Sequence, residues 1–254
     1  KTPEIRAASH PVTLEELDAW YPQVPDDENA ALLYTKAFDE LEIIDPGHER
    51  GMTLSYAALE FDQIANYPPN VVAELQAFVA DAAPVLAMTT RAANLPRARF
   101  PIDLSKPNTE TQRLLNSRGV TRVLYLASEL ALIGNDCTLA VERHVAILHS
   151  SKAFAAEPLL IPQMLRISTI GFAYQSLKRL LNHTQFSDAE LKALGTAYLS
   201  AYRPETLNRA MLCERCVATE TIRRLADRSL KSEDESLRAF REEVRSMSAL
   251  SFGA

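Results

Sequence analysis

Residues 109–156 read TETQRLLNSRGVTRVLYLASELALIGNDCTLAVERHVAILHSSKAFAA. Apolar residues recur there at steps of three and four up to Ile133, Gly134 ends the run, and Asn135 or Asp136 offers a capping oxygen to a second run reaching about Ala156. The repeated unit is helix, short turn, helix. Links this short force neighbouring helices to run antiparallel.

The same grammar continues downstream. Pro158 opens a third run to about His183, in which Leu160, Met164, Ile167, Ile170, Phe172, Tyr174, Leu177 and Leu181 occupy the whole circumference. That distribution predicts a central, buried helix. Gly171 in its middle costs about 1 kcal/mol relative to alanine, so the expectation is a neighbouring helix in close approach. Ser187 and Glu190 have capping-box spacing before a run to Tyr202, Pro204 opens another to about Ser229, and a charged helix over Ser232–Ser248 closes the chain.

Upstream, the segment 1–25 is proline-rich and reads as an arm with one short helix, for which Thr13 and Glu16 have capping-box spacing. Residues 26–108 hold further helices and a proline-rich crossover. Asp26 and Asp27 are placed to cap a helix ending at Asp45–Gly47, a weaker helix covers Thr53–Ile64, and Pro84 predicts a kink near Ala80 in a long helix from Pro69 to Ala93. Asn94–Asn108, with Pro96, Pro101 and Pro107, crosses to the main body, residues 109–254. The expected fold is all-α, about ten helices in an irregular array of antiparallel hairpins, either an α-α superhelix or a multi-helix bundle, as one compact unit overall.

Composition agrees with this and narrows the partners. Glycine is scarce (7 of 254 residues), and 47% of the chain is hydrophobic. A formal charge of -6 argues against general nucleic-acid binding. No apolar run is long enough for a membrane span. The chain starts at Lys1 without methionine, consistent with a targeting segment or anchor upstream.

Few residues carry a chemical signal. Cys213 and Cys216 form CxxC well inside a predicted helix, away from the stripe of Leu207, Met211, Ala218 and Leu225. They read as structural small residues, as a local disulfide, or as a redox or metal pair, although zinc needs two further ligands that no spacing supplies. Glu214 projects onto that apolar stripe, so it is expected to be buried and paired, with Arg166 one candidate partner, or else to serve as a ligand-binding or catalytic acid or to stand exposed at a groove. His144 and His149, five apart, fall on different faces of their helix and read as solvated or locally hydrogen-bonded; no metal site is expected. Arg223, Arg224, Arg228 and Lys231 interleave with Glu220 and Asp227 as a self-paired surface. Tyr125, Arg118, Arg122 and Glu129 mark the polar flank of their helix.

The opening PVTLEELDAWYPQVPDDENAALLYTKAFDEL, the crossover RFPIDLSK, the helices around IGND and EPLLIPQMLRIS, the cap FSDAELKAL and the late CER, taken in order, resemble a family of bacterial all-helical proteins without an established activity. The resemblance implies an N-terminal signal or anchor and an extracytoplasmic, cell-envelope location. It draws attention to Glu214 and Arg215 and favours packing for Cys213. The expected function is a helical module that binds a protein, peptide or ligand, without a cofactor. The alternatives are an enzyme with a polar pocket formed by Glu214 with Arg215 or Arg166, and a self-associating structural component of the envelope.

Overall fold

The computed structural model describes residues 2–7, 9–61, 66–104, 113–183 and 185–226. Every regular element among them is a helix, and the fold is all-α. The helices are α1 (Thr2–Ala7), α2 (Leu14–Trp20), α3 (Ala30–Ile44), α4 (Glu49–Glu60), α5 (Pro69–Asp81), α6 (Ala83–Ala93), α7 (Ser117–Ile133), α8 (Cys137–Lys152), α9 (Leu160–His183), α10 (Asp188–Ala201) and α11 (Glu205–Ala226). The predicted final helix, with Arg228 and Lys231, lies outside the described residues.

Local chemistry sets the boundaries. Ser187 Oγ accepts from the Glu190 backbone N–H while the Glu190 carboxylate accepts from the Ser187 N–H, completing the expected capping box of α10. Asp136 caps α8 by accepting from Leu139 N at 3.0 Å. At α2, Thr13 Oγ1 accepts from Glu16 N, but the Glu16 carboxylate reaches past Thr13 to the N–H of Val12. Asp26 and Asp27 do not cap α3. They form a 3₁₀ turn with Glu28, and Asn29 is the cap, accepting from Ala31 N at 3.1 Å. The proline break falls at Ala82, where α5 and α6 meet at 61° and Pro84 sits in the first turn of α6, a position that needs no N–H. No single described helix is long and apolar enough to cross a membrane.

The chain forms two compact units, Tyr21–Met211 and a second made of Lys1–Trp20 with Leu212–Ala254. In the smaller unit, Arg6 pairs with Glu16 at 2.7 Å, and Arg215 Nη2 donates to Pro11 O at 2.8 Å.

The larger unit is built around α7, which packs on α3, α4, α5, α6, α8 and α9. Thirteen of its seventeen residues are buried, so α7 takes the central place expected of α9. Gly119 makes this closeness possible: a Cβ there would lie 2.8 Å from Leu41 Cδ2 and 2.9 Å from His48 Cγ. The flank expected to be polar is buried too, with Tyr125 fully enclosed and Glu129 2% exposed, whereas Arg118 faces solvent.

The described part of the proline-rich crossover, residues 94–104, is packed into this unit. Asn29 holds it from both sides, donating through Nδ2 to Arg99 O at 2.9 Å and accepting from Arg99 N at 2.9 Å. Phe100 is buried between Phe38 and Phe154, with ring centroids 6.1 and 4.8 Å away. Stacking of this kind adds about 0.5–1.5 kcal/mol per pair beyond the burial itself.

Candidate functional site

Helix α9 is built the opposite way round from a surface helix. Its inward residues include Gln163, Arg166, Thr169 and Ser176, all buried, together with Leu165, Ala173 and Leu180. Each polar chain with a long reach is tied to a different neighbour. Gln163 Nε2 donates to Phe154 O at 2.7 Å and Glu157 O at 2.9 Å. Arg166 donates to Thr206 Oγ1 at 2.9 Å and to Ala201 O at 2.5 Å, closing α9 onto the end of α10 and the start of α11.

Farther along, Ser176 Oγ donates to Ala173 O at 3.0 Å and meets His144 Nδ1 at 3.1 Å, while His144 Nε2 lies 2.9 Å from Tyr198 Oη. With the serine hydroxyl committed to a carbonyl, Nδ1 carries the proton and Nε2 accepts from the tyrosine. Burial pushes the His144 pKa down to about 4, so the ring is neutral and bridges α8, α9 and α10. Neither a solvated nor a purely local histidine describes it.

Arg179 forms the strongest tie. Its guanidinium grips both oxygens of Glu129, at 3.2 and 3.0 Å, and donates to Phe61 O at 2.6 Å and Tyr67 Oη at 3.1 Å. Tyr67 Oη in turn donates to Glu129 Oε2 at 2.8 Å. Burial works against the arginine charge, and Glu129 overcomes that and holds the pKa of Arg179 above its ordinary value. Burial beside Glu129 also drives the Tyr67 hydroxyl upward, so the cluster is a closed, charge-balanced lock.

The polar chains hold α9 at one rotation, and this leaves the other side outward. Ile161, Met164, Ile167, Tyr174 and Leu181 are between 39 and 70% exposed. Gly171 lies among them with nothing within 4 Å of its Cβ position, so the close helix expected there is absent from the described residues. Apolar residues all round α9 therefore did not mean burial all round: half of the buried side is polar and half of the exposed side is apolar.

A second buried carboxyl lies at the entry to α9. Glu157 is fully enclosed, and its Oε1 accepts from the Tyr21 hydroxyl and from Phe100 N at 2.9 Å. Among the described residues its Oε2 has no hydrogen-bond partner. Burial pushes its pKa up to about 7, against the opposing pull of the Phe100 N–H, Tyr21, Arg99 and Arg209.

An open groove of about 520 Å³ runs between α8 and α10, with His149, Lys152 and Lys192 on its walls. Burial and Lys152 both lower the His149 pKa.

The residues singled out from sequence fall in both units. Glu214 and Arg215 are half-buried in the smaller unit. Arg166 is in the larger unit and gives its guanidinium to Thr206 and Ala201. Cys213 and Cys216 are not joined in a disulfide and are almost fully buried, with Cys216 Sγ 3.2 Å from Pro11 O, and burial pushes the Cys216 thiol up. The facing of α11 is thus reversed: the cysteine side packs, and Leu207, Met211 and Ala218 of the supposed core stripe are exposed. Arg223 pairs with Glu220 at 2.9 Å as the charge pattern implied. No group of three or more His, Cys, Asp or Glu among the described residues could hold a metal ion.

No protein-family model, curated protein or solved structure matches this chain. Apolar residues round the whole circumference of α9 predict burial on every side, and that reading hides its outward face. A usable signal was present: 161, 164, 167, 171, 174, 178 and 181 step by three and four without a break, the spacing of a seam between two helices.

Proposed function

We propose that this chain is a helical interaction module of the cell envelope, and that it presents the outward face of α9 to a helix of a protein partner. One observation carries the reading: the buried polar ties of α9 fix its rotation so that its apolar residues point to solvent. Burying arginine, glutamine and serine while exposing isoleucine, methionine and tyrosine costs stability compared with the reverse arrangement. A protein holds such an arrangement in place where the exposed residues have work to do. Five residues of this size, about half exposed, amount to roughly 500 Å² of largely apolar surface, the scale of a functional patch.

The envelope location comes from the family resemblance, and fractionation of native cells tests it directly. For the interaction, a photo-crosslinking amino acid placed at Met164 in the native host should give a discrete adduct, whereas the same group at exposed Lys192 should not. Ile167→Lys should abolish the Met164 adduct while leaving the far-ultraviolet circular dichroism spectrum unchanged. Loss of helical signal in that variant, or an adduct of equal yield from Lys192, would sink the proposal.

A further inference from the structure

Resting on that reading, we infer that the partner helix is α9 of a second copy of this chain, laid antiparallel across the first with the two-fold axis at Gly171. The exposed positions of α9 are nearly symmetric about residue 171. Ten residues to either side stand Ile161 and Leu181, and seven to either side stand Met164 and Lys178. Four before is Ile167 and three after is Tyr174. A two-fold operation at Gly171 therefore sets Ile161 on Leu181 and Met164 along the aliphatic stem of Lys178, each contact occurring twice.

Charge selects the same orientation. Helix α9 contains no acidic residue, and Lys178 is the charged side chain on its exposed face. A parallel pair in register would place Lys178 against its own copy. The antiparallel pair separates the two ammonium groups by fourteen residues of helix, about 21 Å at 1.5 Å per residue.

Shape agrees as well. A glycine with open space above it removes the side chains that would hold two helix axes apart where they cross, and it costs helix stability that nothing within the described chain repays. The two faces together bury roughly 1,000 Å², the lower bound for a specific interface, so the dimer should be of moderate affinity.

The test is sedimentation of the full chain, wild type against Gly171→Glu and Gly171→Ala, over a range of concentrations. Wild type should sediment as a dimer that dissociates on dilution. Gly171→Glu should weaken the dimer by about a hundredfold or more, since two carboxylates meet on the axis. Its circular dichroism and melting temperature as a monomer should not fall, because the new side chain enters open space. Gly171→Ala should melt higher and dimerise more weakly. A wild-type chain that stays monomeric, or a Gly171→Glu chain that dimerises undiminished, overturns the inference. The Met164 crosslink separates the two levels: a monomeric chain that still forms an adduct with a different protein removes the second copy and leaves the interaction reading standing. An adduct only within one chain removes both.

Discussion

Replacing Glu157 by glutamine should change how stability depends on pH by an amount the structure sets. In the native unit the carboxyl is fully buried with Oε2 unpartnered, and burial moves its pKa from 4.5 to about 7. Between those values the native chain holds a proton that the unfolded chain has released. Stability from this group is therefore complete below pH 4.5 and is lost as pH rises through about 7. The difference between 4.5 and about 7 corresponds to ~3 kcal/mol. The Tyr21 hydroxyl that faces it adds no slope of its own here, because burial keeps it neutral. Glu157→Gln keeps the acceptor for Tyr21 and Phe100 but cannot ionise, and its amide enters a place without a partner, so at acid pH the variant should be weaker by ~1–3 kcal/mol. Urea unfolding of both chains at pH 4.5 and pH 8, followed by circular dichroism, should show the variant gaining ~3 kcal/mol on wild type between the two. Groups common to both chains cancel in that difference. A gap between the chains that is the same at both pH values would refute the reasoning.

His144 should tilt the profile the other way. Its pKa is lowered to about 4, so the unfolded chain binds the extra proton below about 6.5 and the stability from this group falls as pH drops through that window; His144→Gln should remove that acid-side loss in the same urea series. Glu129→Gln leaves Arg179 buried without its counter-charge and should cost about 3–5 kcal/mol, read as a lower urea midpoint at constant slope. Glu214→Gln should cost under ~1 kcal/mol in a thermal melt, because the residue is only partly buried and water screens its carboxylate.

The helical class, the capping box at Ser187, the cap at Asp136 and the break at Pro84 could be read in sequence because each rests on contacts within a few residues. The rank of the helices could not. Helix α7 is central because Gly119 admits Leu41 and His48, and those partners lie more than seventy residues away in the chain. Glu129 looked like a surface acid until Arg179, fifty residues on, was placed beside it. For α11 the projection found the apolar stripe, but the contacts of Pro11 with Arg215 and Cys216, two hundred residues apart, decided which side packs. Periodicity describes how one helix is decorated, whereas burial depends on which other segments arrive.

The bond from Tyr21 to Glu157 joins residues 136 positions apart, with the crossover at Phe100 held between them. During synthesis, at about 5–20 residues per second, the first of these residues waits roughly 7–27 s for the last to be made. Through that interval Phe38 and Phe100 lack Phe154, the ring that completes their stack. Until then the apolar surface that these rings cover stays open, and this part of the larger unit can close only after residues 154–157 have been made.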